Sequence, residues 1–197
     1  MPKDWKRTAE QPWTSIGEVG AESYRCGYCG DDVGSDRGIQ NSGKNSFIRI
    51  CPLCNCPTFF SAQREQWPGP RVGGNVSQIA DDVKGIYEEA RRSITVNAYT
   101  GAVMLCRTIL MHVAVEKGAK AGESFQSYVK WLIDEHYVPR GSDGWLDYIR
   151  ARGNDANHKI VPMDRDDALG VLGFTEALLR NVYELPAAVP ATGAKQL

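Results

Sequence analysis

At 197 residues, with 42% hydrophobic and 24% charged side chains, the chain has room for one domain, or for a small domain beside a larger one. A net charge of −1 excludes a uniformly basic surface that coats nucleic acid without discrimination and leaves only a local patch for that purpose. No apolar stretch reaches the roughly 18 residues of a membrane span, and residues 1–10 (MPKDWKRTAE) lack the apolar centre of a signal peptide, so the expected location is the cytoplasm, with no membrane partner.

In chain order, an N-terminal arm (1–24) leads into a segment (25–62) of paired cysteines, many glycines and short β-prone runs such as Phe47-Ile48-Arg49-Ile50. A linker follows (63–75), where WPGPRVGGN gathers residues that fix or free φ and stop regular structure; it reads as a hinge. From Val76 the spacing turns helical. Ile79, Val83, Ile86, Tyr87, Ala90 and Ile94 recur every three or four residues, with Asn75 as the expected N-cap.

A second helix, about Asn97 to Lys117, is apolar nearly all round, as in the centre of a bundle, and Gly118 ends it. Cys106, Met104 and Met111 within it read as core. A third helix is expected from about Glu123 to His136 and a short fourth from Trp145 to Arg152. The last begins near Asp164, a capping residue, with Asp166 and Asp167 suited to the positive end of its dipole. The expected fold class is therefore mainly α: a small N-terminal β zinc ribbon followed by an antiparallel bundle of about five helices over 76–185. The tail, 186–197, has too little apolar bulk to pack and is expected to be disordered.

Cys26-Gly-Tyr-Cys29 and Cys51-Pro-Leu-Cys54 are two CxxC pairs separated by 21 residues. In a zinc ribbon each pair sits on a tight turn that aims two sulfurs at one ion, and the turns meet to complete a tetrahedron. The alternatives are two disulfides or a redox CxxC, which a reducing cytosol disfavours. The reading is thus one structural zinc per chain on Cys26, Cys29, Cys51 and Cys54, four thiolates leaving no open position for catalysis. Cys56, just beyond, could replace Cys54, although the two-residue spacing favours Cys54. Trp5, Trp13 and Trp67 pack on the ribbon or stack on bases, packing being the simpler use.

A second constellation is Ile149-Arg150-Ala151-Arg152-Gly153-Asn154-Asp155-Ala156-Asn157-His158. An arginine-bearing helix runs into a Gly-Asn break and then offers amides and one titratable imidazole. If Arg152 bonds a phosphate oxygen, His158 is placed as general acid or base on a ribose hydroxyl, which is RNA-cleavage chemistry, with Asn154 and Arg150 beside it. The structural reading makes the same residues a helix terminus and a satisfied histidine.

The CxxC pairs, Pro57-Thr58-Phe59-Phe60, Ile86-Tyr87-Glu88-Glu89-Ala90-Arg91, the stretch around Arg107 and Leu110, Glu116-Lys117-Gly118-Ala119 and IRARGNDANH together resemble the bacterial family called domain of unknown function 4145, in its form with an N-terminal zinc ribbon. That family is similar in its helical pattern to the HEPN superfamily, many of whose members are dimeric ribonucleases or non-catalytic partners in toxin, antiphage and RNA-processing systems. The resemblance implies a HEPN-like helical domain and an active motif of Arg, four to six residues, then His. Arg152 and His158, with five residues between them, fit that interval. The family's characteristic arginine matches Arg150, with seven residues between it and His158 and so outside the interval, and Gly153 stands where a polar residue is common.

Three functions follow as expectations. One is a homodimeric module that binds RNA and cleaves it as a metal-independent endoribonuclease, in a toxin or antiphage setting. Another is a non-enzymatic interaction or dimerisation protein partnering a nuclease or helicase. A third, a DNA-binding accessory, is disfavoured by nine Lys/Arg against eight Asp/Glu in residues 1–75.

Overall fold

The computed structural model describes residues 13–138, 144, 148 and 162–188. The chain divides into two compact units, Met1–Val72 with Arg91–Ala98, and Gly73–Ala90 with Tyr99–Leu197.

The first unit holds an antiparallel meander, β1 (Gly17–Arg25), β2 (Asp32–Gln40), β3 (Phe47–Ile50), β4 (Pro57–Phe60) and β5 (Gln66–Trp67), in that spatial order. The short β3 and β4 are rich in the aromatic and branched residues that favour strands. The long β1 and β2 read GEVGAESYR and DVGSDRGIQ, with few apolar residues to alternate. Their pairing breaks between Glu18 and Glu22, where Gly20 takes a positive φ of 72°. Arg49, nearly fully buried, reaches into this bulge. It donates to the carbonyls of Gly20 (2.6 Å) and Ser35 (2.9 Å) and pairs with Glu22 (2.8 Å). Tyr24 and Phe60 meet edge-on in the small core, which Cys26 and Cys51 complete.

The same unit contains the C-terminal part of α1 (Asp81–Thr95). The Gly69 amide donates to the Thr95 carbonyl (2.7 Å), and Arg91 Nε donates to the Val72 carbonyl (2.8 Å).

The second unit is built around α2 (Tyr99–Glu116), which packs against α3 (Phe125–Asp134) and α4 (Arg165–Leu179); a π-turn (Arg180–Glu184) and a three-residue α5 (Leu185–Ala187) continue α4. Asp164 and Asp167 form a reciprocal capping box at the start of α4, so each carboxylate satisfies an otherwise orphaned amide. Ser124 caps α3, and Gly118, at φ +117°, ends the turn after α2.

The expectation of a mainly α chain with a HEPN-like bundle of about five helices is overturned. The N-terminal region is a five-stranded sheet, and four helices longer than one turn are present among the described residues. The sheet's extent was hidden because β1 and β2 owe their strand state to ladder hydrogen bonds and not to an apolar alternation. One boundary also moves, and one helix is less buried than expected. α1 begins at Asp81 and not after Asn75, because residues 73–77 form a non-helical strap held by side chains of the α4 region. Glu176 accepts from the Gly74 amide (2.8 Å), Arg180 donates to the Asn75 carbonyl (2.9 Å), and Tyr87 donates to the Gly74 carbonyl (3.1 Å). α2 buries Ala102, Val103, Cys106, Ile109, Leu110, Val113 and Ala114 but leaves Met104, Met111 and Val115 exposed, so its apolar surround is only partly core. The expected helix Trp145 to Arg152, apart from Tyr148, and the tail beyond residue 188 lie outside the described residues.

Candidate metal centre

The two CxxC turns are built alike, and hydrogen bonds make the likeness explicit. In the first, the Gly30 amide donates to the Cys26 carbonyl (3.0 Å) and the Cys26 amide to the Asp31 carbonyl (2.9 Å). In the second, the Asn55 amide donates to the Cys51 carbonyl (2.9 Å) and the Cys51 amide to the Cys56 carbonyl (3.0 Å). The residue after each second cysteine has positive φ, Gly30 at 84° and Asn55 at 56°, the two residue types that enter the left-handed region most readily. Each of these residues offers its carbonyl to a side chain: Arg25 Nε donates to Gly30 (3.0 Å) and Trp13 Nε1 to Asn55 (2.8 Å).

The turns bring Cys26, Cys29, Cys51 and Cys54 together with all four sulfurs within 4.8 Å of one another. Cys26 and Cys54 sulfurs are 3.7 Å apart, and those of Cys29 and Cys51 3.9 Å. Zinc–sulfur bonds of about 2.3 Å set at tetrahedral angles give sulfur–sulfur edges of roughly 3.8 Å. These spacings are far beyond a disulfide bond, and all six cysteines are free thiols. The donor set and its edges therefore fit a tetrahedral metal ion such as zinc, with Cys26 and Cys51 buried beneath it. Without an ion, Cys26 and Cys29 resist ionisation. The contact with Cys54, together with burial, pushes the Cys26 thiol up, and burial first of all pushes Cys29 up to about 12. A bound cation reverses that preference.

Cys56 takes the place in the second turn that Asp31 takes in the first. Its carbonyl closes the knuckle and its sulfur lies 3.5 Å from the Cys54 carbonyl, so it stands beside the metal position without joining the ligand set. Cys106 is fully buried on α2, and burial pushes its thiol up to about 11. Spacing alone identified the four ligands. The bond from Trp13 to Asn55 agrees with its expected packing on the ribbon, whereas Arg25, whose only signal was proximity to a knuckle, was missed.

Arg150, Arg152, Asn154 and His158 lie outside the described residues. Elsewhere in the helical unit, a shallow, almost wholly apolar pocket is lined by Asp82, Val83, Ile86, Thr108, Ile109 and His112, with His112 Nε2 3.8 Å from Glu116.

The family described as Domain of unknown function (DUF4145) matches residues 88–195. The chain belongs to this family. The DUF4145 match begins within α1 and runs through α2, α3 and α4, so the metal knuckles lie N-terminal to the matched residues. No curated protein and no solved structure matches the chain. Among the described residues, no helix is long and apolar enough to cross a membrane.

Proposed function

We propose that Cys26, Cys29, Cys51 and Cys54 hold one zinc ion in a structural role, and that the chain is a zinc-stapled protein-interaction module. Four thiolates close the coordination sphere, so the ion shapes a surface and performs no chemistry. The observation that carries the reading is a row of apolar side chains on one sheet face. Ile39 pairs with Ile48, Ile48 with Phe59, and Phe59 with Trp67, so the four share a face across β2 to β5. Each is between 37% and 47% exposed. Contiguous apolar surface of this kind marks an interaction site. Residues 13–72 carry six Lys/Arg against six Asp/Glu, which gives no cationic field to gather phosphates and favours an uncharged, apolar segment of a partner protein. A partner nuclease or helicase fits the resemblance to HEPN systems.

A second reading is favoured by the interval between Arg152 and His158: homodimeric RNA binding and cleavage, with Arg150 or Arg152 on phosphate, Asn154 orienting and His158 as acid or base.

One set of variants separates the two. Proteins cross-linked to the chain in its native cells are compared for wild type and the double variant Phe59→Ser/Trp67→Ser, alongside RNA cleavage by wild type and His158→Ala. The interaction reading expects a defined partner lost in the double variant, with zinc content near one per chain and melting unchanged. Cleavage that His158→Ala slows by roughly 10²–10⁴-fold, with the same partners retained by the double variant, overturns it in favour of the second.

A further inference from the structure

The two knuckles are near copies in their backbone bonds, yet their surroundings differ in charge. Over the second stands Trp13, a neutral donor. Over the first lies a separate strap, residues 68–71, that follows β5. A Cβ on Gly27 would meet the carbonyl oxygens of Gly69 at 2.5 Å and Pro68 at 2.8 Å, so the strap closes directly on this turn and glycine is required there. Arg71 ends the strap. Its Nη1 donates to the Tyr28 carbonyl (2.7 Å), and the Tyr28 amide in turn donates to the Cys26 sulfur (3.4 Å). Its stem lies against Gly30, whose Cβ position is 3.1 Å from Arg71 Cδ.

A zinc ion with four thiolates carries a net charge of minus two, and guanidinium is the side chain suited to share hydrogen bonds with a knuckle while opposing that charge. Arg71 is half-buried. Burial lowers its proton affinity and the Arg91 and Arg92 charges lower it further, so an anionic cluster beside it is a favourable neighbour.

We propose that Arg71 is the outer-sphere positioning residue of the metal centre: it locks the Cys26–Cys29 turn through the Tyr28 carbonyl and offsets the charge of the metal–thiolate cluster. The proposal rests on the zinc reading above. A ligand set held in this way loses metal slowly, because the turn cannot open while the guanidinium bridges it to the strap.

The test uses the full chain purified with its metal. Zinc content is measured first, then the rate of zinc transfer to a chromogenic chelator, for wild type, Arg71→Met, Arg71→Gln, Arg71→Lys and, as control, Arg64→Met, whose exposed guanidinium pairs with Glu22. Arg71→Met and Arg71→Gln are expected to release zinc about 10–100-fold faster, Arg71→Lys to recover part of the loss, and Arg64→Met to match wild type. In the cobalt-substituted protein, Arg71→Met should shift the thiolate-to-metal charge-transfer band and Arg71→Lys should move it back, a response that a purely packing role would not give. Zinc-loaded wild type and folded Arg71→Gln releasing metal at the same rate, with the same cobalt spectrum, overturn the clamp while leaving the zinc reading intact. Wild type that carries no zinc removes the zinc reading itself, and the clamp with it.

Discussion

Glu176 shows how one side chain organises a segment without regular structure. Its Oε2 accepts from the Gly74 amide and shares the single Tyr87 hydroxyl proton with the Gly74 carbonyl, and its Oε1 accepts from Arg180 Nε (3.0 Å) and Nη2 (2.9 Å). Burial works against its ionisation, but the Gly74 amide, Arg180 and Tyr87 outweigh it and hold the carboxyl below its usual range. A carboxyl with a depressed folded pKa binds protons more readily when unfolded, so its contribution is complete above the ordinary carboxylate value of about 4.3 and is lost as pH falls through the folded value. Glu176→Gln should destabilise the helical unit by roughly 1–3 kcal/mol at pH 7, and the gap from wild type should narrow in acid. Urea titrations at pH 7 and below pH 4 check this; a gap that stays constant or widens in acid contradicts it.

At the scale of elements, β2 supplies a matched pair of glycines. At Gly38 a Cβ would lie 2.0 Å from the Ile48 carbonyl oxygen, part of the β3 backbone that cannot yield, whereas at Gly34 the nearest atom is Ser23 Oγ at 3.8 Å. Gly38→Ala should therefore force β2 from β3 and cost about 1–3 kcal/mol, while Gly34→Ala should be neutral or mildly stabilising. Chemical denaturation of the two variants decides; equal effects would refute the close approach. The knuckles, the Asp164 cap and the stop at Gly118 were legible in the sequence because each depends on residues within one turn of chain. The long β1–β2 hairpin was not, because its strands carry no apolar alternation, nor was the buried Arg49–Glu22 pair, because Arg49 bonds partners 14 to 29 residues away. The same holds for the strap at 73–77: its glycines signalled a linker, but only contacts with the α4 region show why α1 starts late.

At the scale of the whole molecule, the two units differ in what holds them together. The sheet unit has a small core in which Cys26 and Cys51 are themselves core residues, so loss of the proposed zinc would open the interior. Units this small commonly need such a staple, and structural zinc contributes apparent binding energies of about 10–16 kcal/mol, as much as many domains' entire stability. The helical unit buries Leu110, Val113, Val129, Leu132, Leu172 and Leu178 with no metal-ligand cluster among its described residues. Helix α1 is divided between the two, since Arg91–Ala98 belong with the sheet through the Gly69–Thr95 and Val72–Arg91 bonds while Asp81–Ala90 belong with α2, α3 and α4. Zinc removal by a strong chelator at neutral pH should therefore expose the amides of β1 to β5 and the C-terminal part of α1, leaving Asp81–Ala90 and the buried face of α2 protected. Peptide-resolved hydrogen exchange before and after chelation measures this directly. Protection lost evenly along α1, or lost from α2 together with the sheet, would show that the metal supports the whole chain and not the ribbon alone.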